Sequence, residues 1–316
     1  MAFELPVGLT VTVTVPASSA NLGPGFDTLG LALGLYDDVT VTTVEHDLTI
    51  TVEGEGWDSV PTDETHLVVL ALRRSMAYLD IAAPGLKLKC HNRIPHSRGL
   101  GSSAAAVVAG IAAGAALAEV AGAARGLTAA GTLQLASEFE GHPDNASASV
   151  LGGAVVSWTE QVGADGGGQD AAAERPPVYD ARRIDVHPDV RAYAFIPDVQ
   201  SSTAVTRGLL PERIPHADAA FNASRAALLV VALGQAPELL LAATEDRLHQ
   251  PYRAHSMPAT AALVESLRGA GIPAVVSGAG PTVLVLTAKP LPADVELTAE
   301  GFTMRELAIV DGVART

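Results

Sequence analysis

Chemistry is most legible in the segment Arg98-Gly99-Leu100-Gly101-Ser102-Ser103-Ala104. Two glycines release the backbone from β-carbon sterics, and two serines stand where a long apolar run begins. If that run is a helix, its unpaired N–H groups and the positive end of its dipole converge on one point, which attracts phosphate. A serine hydroxyl there suits either a helix cap or a hard-oxygen ligand for Mg²⁺. The segment is not a P-loop, because no GK[ST] follows, and it lacks the GxGxxG of dinucleotide sites. Glycine turns with serine caps also open many ordinary helices, so context must decide.

The chain that positions this turn has 316 residues, 48% of them hydrophobic and 17% charged, enough for a substantial core and about two domains. Twenty Lys and Arg against 35 Asp and Glu give a formal charge of −15. That balance argues against a protein that wraps nucleic acid or lies on an anionic membrane, and we expect neither partner. An anionic ligand must then be held by local features, backbone N–H groups and a metal. The single cysteine, Cys90, can form no internal disulfide and reads as filler in the alternating strand LKLKCHN. The start, MAFELPVGLTVTVTV, shows no basic segment followed by an apolar one, and cytoplasm is the expectation. Ala104 to Ala118 carries no charge but is about five residues short of a membrane span, so a buried core helix is expected.

Periodicity places the elements. Apolar residues alternating with Thr predict strands on both sides of the glycine-rich turn at 21–30, and helical spacing runs from Thr65 to Leu79 with Asp63 or Thr65 as cap. LKLKCHN is a strand, the apolar run after Ser103 a helix, and Leu127–Glu140 a second helix. LGGAVVSWTE and RAYAFIP read as strands; 217–232, 237–248 and 259–270 read as helices; AVVSGAGPTVLVLT gives two strands around a turn. Residues 163–177 are low in complexity and receive no structure. The mixture is α+β, divided near 158–177, with domains expected over 1–165 and 166–316.

Three separated motifs supply the context. Pro95 to Ala105 (PHSRGLGSSAA) resembles the central ATP motif of the GHMP kinases. Pro16 to Gly30 (PASSANLGPGFDTLG) resembles their first motif in the form typical of a branch that phosphorylates homoserine, and Ser277 to Thr282 (SGAGPT) resembles the third. The resemblance implies a two-domain fold, an N-terminal domain with a left-handed βαβ crossover and a C-terminal ferredoxin-like domain, with the active site between them. It implies ATP and Mg²⁺, with Pro95, Arg98, Gly99, Leu100, Gly101, Ser102, Ser103 and Ala104 around the triphosphate. Ser103 and Glu138 would hold the metal, Glu140 being the nearby competitor and Ser102 the alternative hydroxyl. Asn21, Asp27, His142, Asn145, Arg207 and Arg253 would line the acceptor pocket, Asp27 for an ammonium and the two arginines for a carboxylate. Ser102, Ser103, Glu138 and Asn145 are the expected catalytic set, with direct transfer and no dedicated base. His66 stands where many relatives carry Asn near the adenine. We expect a homodimer. A GHMP kinase for mevalonate-type or sugar alcohols, or an ATP-binding sensor without turnover, are the competing readings.

Overall fold

The computed structural model describes residues 2–160, 176–201, 206–292, 295 and 299–316. Its first layer is a sheet built around β2 (Thr10–Ala20) and β3 (Leu29–Val44), antiparallel from Thr10 opposite Thr42 to Ala20 opposite Gly30, with a bulge between Pro16 and Ala17. The alternation read from the sequence sets its faces: Val11, Val13, Val15, Val39 and Val41 point into the core, while Thr10 and Thr12 pair their hydroxyls with Thr42 and Thr40 at 3.0 Å each. β4 (Leu48–Gly54) lies parallel to β6 (Gly85–Asn92), which is antiparallel to β3. The β4–β6 crossover runs through α1 (Leu67–Leu79); before α1, β1 (Phe3–Glu4) starts the chain, and after it β5 (Ile81–Ala82) pairs with β1. The cap of α1 is neither Asp63 nor Thr65. His66 Nδ1 accepts the Val68 N–H at 3.2 Å, and Asp63 instead accepts the Thr65 N–H at 2.8 Å.

α2 (Ser102–Val120) is the expected core helix: every residue from Ala104 to Leu117 except Ala106 is buried. Its small side chains let α1 lie close, Ser75 Oγ donating to the Ile111 carbonyl at 3.0 Å. Each fully buried Val, Ile or Leu on α2 contributes about 1.5–3 kcal/mol of hydrophobic free energy. α3 (Ala129–Glu140), which Thr128 caps, and α4 (Asp144–Leu151) complete this helical layer.

β7 (Ala154–Glu160) pairs with β3, and β8 (Val178–Ile184) pairs with β7 over its full length. The first sheet therefore takes strands from both sides of residue 165, and β8 ends at Ile184. The second domain has a four-stranded antiparallel sheet of β9 (Arg191–Pro197), β10 (Ala274–Val276), β11 (Val283–Thr287) and β12 (Phe302–Leu307) in the order β10-β11-β9-β12. With α5 (His216–Gly234) between its first two strands, this is the ferredoxin-like arrangement. The helix expected over 237–248 shrinks to a 3₁₀ turn and α6 (Leu240–Ala243), because Asp246 turns back to accept the N–H groups of Leu248, His249 and Gln250 and starts α7 (Gln250–Arg253). α8 (Pro258–Gly269) matches its reading, and β13 (Ala314–Arg315) returns the chain to β2. Residues 163–175 of the low-complexity segment lie outside the described residues.

Candidate active site

The turn before α2 is held by packing that excludes side chains. Gly99 and Gly101 have φ of 77° and 70°. A β-carbon on Gly99 would strike the Ser277 carbonyl, and one on Gly101 would strike Ser18 Oγ. Gly101 caps α2 with no side-chain hydrogen bond, so the first-turn N–H groups stay available to a ligand. The third motif fastens the turn from behind: Ser277 Oγ donates to the Gly99 carbonyl at 2.6 Å, and Asn21 Nδ2 donates to the Gly278 carbonyl at 2.9 Å.

A cavity of about 650 Å³ opens in front of this turn, between the two domains. Gly99, Gly101, Ser102, Ser103 and Ala104 line it, together with Asn21, Asp27, His142, Asn145, Arg207 and Arg253. A smaller cavity of about 270 Å³ shares Ser102 and Ser103 with it; His66 lines that one, among Val39, Val60, Leu67, Val68 and Ala105. Burial lowers the pKa of His66, so the ring is neutral there.

Four expected residues lie elsewhere. Leu100 is fully buried, its carbonyl accepting the Ser18 N–H at 3.0 Å, and Pro95 is buried and lines neither cavity. Arg98 points away from the phosphate site, donating to the carbonyls of Pro197, His96 and Asp198 at 2.8–3.0 Å, and so ties the turn to the end of β9. Glu138 is bound to Arg74 at 3.0 Å and to Gln134 at 3.1 Å, outside the cavity. Glu140, the competitor, accepts from Ser103 Oγ at 2.7 Å on the cavity wall. The two acids lie two residues apart, which turns them about 200° around a helix.

At the other end the cavity is built from charge. Arg207 forms a two-pronged pair with Asp27 at 2.8 and 2.9 Å, so these residues meet each other rather than standing apart for carboxylate and ammonium. That bond raises the pKa of Arg207. Arg253 is 2% exposed and lies over the Phe26 ring, as does Arg207, at 5.6 and 5.4 Å. Arg253 Nη1 lies 3.2 Å from His249 Nδ1, and His249 Nε2 lies 2.8 Å from the Gly23 carbonyl. Burial keeps His249 below its ordinary pKa, so a neutral ring donates from Nε2 and accepts at Nδ1. His142 Nδ1 is 2.7 Å from Asp144 Oδ1, and Asp144 also accepts the Asn145 N–H at 2.8 Å. Burial opposes the His142 cation, but the Asp144 hydrogen bond and the charges of Asp144 and Asp27 hold its pKa above the usual value. Asn145 Oδ1 accepts from Ser18 Oγ at 3.0 Å. Phe26, Ser18 and His249 were not singled out in the sequence; Phe26 and Ser18 lie inside the first motif, and only the fold gives them a role.

Known proteins fit this geometry. Residues 66–153 match the GHMP kinases N terminal domain and residues 227–298 the GHMP kinases C terminal domain. A homoserine kinase of Rhodococcus erythropolis is 57% identical over 315 residues, spanning 99% of this chain and 98% of its own length. The chain belongs to the homoserine kinase family of the GHMP kinases. A second member of this family, from Mycolicibacterium smegmatis, is also 57% identical, over 100% of this chain and 98% of its own. Among solved structures, a homoserine kinase from Cytophaga hutchinsonii shares the fold at a TM-score of 0.78 and 23% identity, covering 97% of both chains. A putative homoserine kinase from Listeria monocytogenes gives 0.69 and 28%, covering 97% of this chain and 99% of its own.

Proposed function

We infer that this chain transfers the γ-phosphoryl of ATP to the side-chain hydroxyl of L-homoserine, giving O-phospho-L-homoserine for threonine biosynthesis. One observation carries the reading: a single cavity joins the uncapped N-terminus of α2 to the Asp27, Arg207 and Arg253 cluster. The first end suits a triphosphate and the second an amino acid. Family membership names the amino acid.

The triphosphate lies across the first turn of α2, whose N–H groups and dipole hold its charge without a lysine. Ser103 and Glu140 form a hard-oxygen pair beside it and fit Mg²⁺, which asks for few protein ligands when phosphate and water supply the rest. When bound, the metal neutralises charge on the phosphates. Homoserine enters with its ammonium against Asp27, in the anionic corner that Asp27 shares with Asp144 and His142, and with its carboxylate toward Arg253 and Arg207. Its arrival loosens the Asp27–Arg207 pair, each charge exchanging one partner for another. Asn145 faces the hydroxyl. Asp144 is 1% exposed and already engaged by His142 and the Asn145 N–H, so it orients its neighbours and takes no proton. Phosphoryl transfer passes through a loose transition state in which alignment and charge stabilisation supply most of the acceleration, and no dedicated base is needed. The enzyme works as a cytoplasmic homodimer.

A coupled ADP-release assay across homoserine, mevalonate and galactose, each with MgATP, tests this. Turnover is expected with homoserine alone, and to stop with excess EDTA. Activity on another alcohol but not on homoserine would overturn the assignment. In the same assay Glu140→Gln should lower kcat far more than Glu138→Gln; the reverse order returns the metal to Glu138.

A further inference from the structure

Beside the α2 N-terminus, the smaller cavity is walled by aliphatic side chains but carries one buried carboxylate whose environment is unusual. Asp37, in β3, lines this cavity and is 5% exposed. Its Oδ1 accepts both the Arg93 and Ile94 N–H groups, at 2.6 and 2.9 Å. No cation pairs with it among the described residues. The nearby Arg93 guanidinium goes to Asp38 at 2.8 Å and to the Tyr36 carbonyl at 3.0 Å. A latch on residues 93–94 needs only one oxygen, yet a whole carboxylate is buried, and its Oδ2 receives no hydrogen bond from the described residues. This oxygen is not sealed off, since the buried side-chain atoms without a partner among the described residues are Ser137 Oγ and Thr282 Oγ1; an acceptor with no donor of its own on a cavity wall suits a ligand that brings one.

Two of the other polar walls are committed. Asn92 Nδ2 donates to the Glu55 carbonyl at 3.1 Å, and Thr65 bonds Asp63. His66 spends Nδ1 on the α1 N-terminus, which leaves Nε2–H as a donor. The cavity therefore offers an acceptor, Asp37 Oδ2, and a donor, His66 Nε2–H, beside aliphatic walls, with His96, Ser97, Ser102 and Ser103 as its remaining polar lining next to the turn before α2.

We propose that Asp37 is a specificity-determining residue that accepts a hydrogen bond from the exocyclic amino group of adenine, while His66 donates to a ring nitrogen of the same base. This rests on reading the paired cavities as an ATP site. Burial pushes the Asp37 carboxyl up to about 6, so it remains an acceptor at neutral pH. A 6-oxo purine would place a carbonyl oxygen against the carboxylate, and a purine without a 6-substituent would leave Oδ2 unpaired.

Calorimetric binding of ATP, purine riboside triphosphate and ITP to the wild-type enzyme, with Mg²⁺ and without homoserine, provides the test. Loss of one charge-assisted hydrogen bond should weaken purine riboside triphosphate by roughly 10- to 150-fold relative to ATP, and ITP should bind more weakly still. Asp37→Asn keeps an acceptor for residues 93 and 94 and turns an amide N–H toward the base; the ATP-to-ITP affinity ratio should fall at least about tenfold. Circular dichroism confirms that the variant is folded, and if it is not, the wild-type series decides alone. Equal affinity for the three nucleotides in the wild type, or an unchanged ratio in folded Asp37→Asn, reduces Asp37 to a latch and overturns the proposal. Absence of any ATP binding would instead remove the ATP site itself.

Discussion

The two ends of the main cavity, proposed above for a triphosphate and for an amino acid, are built from different materials. At the α2 end the contacts are backbone N–H groups fixed by two glycines at positive φ, and the nearest side chains are small. At the acceptor end the contacts are guanidinium and carboxylate groups brought together from positions as far apart as 27 and 207. A backbone site cannot be rebuilt by a compensating side chain, because what matters is where the chain runs. A side-chain site can lose one member and keep the others, and its charges respond to pH.

The sharpest way to break this contrast is Gly101→Ala. Its methyl group meets Ser18 Oγ in a conformation that L-residues avoid, so the turn must move and the N–H groups with it. We expect kcat/KM for ATP to fall about 100- to 1,000-fold, the loss typical of misplaced transition-state donors. Steady-state kinetics measures this, with the melting temperature as a check that the fold persists. A variant with near-normal kinetics would show that the turn is not the phosphate site. Next in size are Arg253→Ala and Arg207→Ala, each expected to weaken homoserine by roughly 10- to 150-fold while leaving the KM for ATP nearly unchanged. Arg253 should cost more, because it is buried and its loss strands His249 Nδ1. A matching rise in the KM for ATP would merge the two ends into one cooperative site.

The same contrast explains what could be read from the sequence. The turn before α2, proposed for phosphate, was legible as a turn because its pattern is local: glycine, serine and the start of an apolar helix are consecutive from Gly99 to Ala104. The Thr–Val alternation likewise gave β2 and β3. The resemblance named residues that the fold gathers around one cavity, but neither it nor periodicity could show that Asp27 and Arg207 grip each other, since that contact depends on how the domains close. Glu138 and Glu140 were indistinguishable by spacing, because the phase of α3 against α1 and α2 decides which faces the cavity. Arg98 sits beside the turn in sequence and yet serves β9, a case where adjacency misleads. β8 went unread because 163–177 separates it from its partner, and a ladder across a long connection leaves no local trace.

The smallest effect concerns His142, where the acceptor end should reveal its charge in stability. Its folded pKa is raised above the ordinary value of 6.5 by Asp144 and Asp27 against the opposing pull of burial. A raised folded pKa means that the native state holds the proton more tightly than the unfolded chain. The stabilisation is then fully present below pH 6.5 and is lost as pH rises through the folded value. His66, His96 and His249 are shifted down by burial and work in the opposite sense, losing stability as the pH falls through the unfolded value. The melting curve of the wild type mixes these trends, so the useful quantity is the difference between wild type and His142→Gln. That difference should favour the wild type most near pH 6 and shrink toward pH 8, and Asp144→Asn, which removes the main support of the cation, should flatten it. Thermal melts by circular dichroism at pH 6, 7 and 8 measure it. A difference that grows with pH would mean that the buried ring is neutral in the native state, with Asp144 orienting a donor at Nδ1 instead of balancing a cation. The corner that Asp27 shares with Asp144 and His142 would then carry one positive charge fewer, which strengthens its pull on the ammonium proposed to lie there.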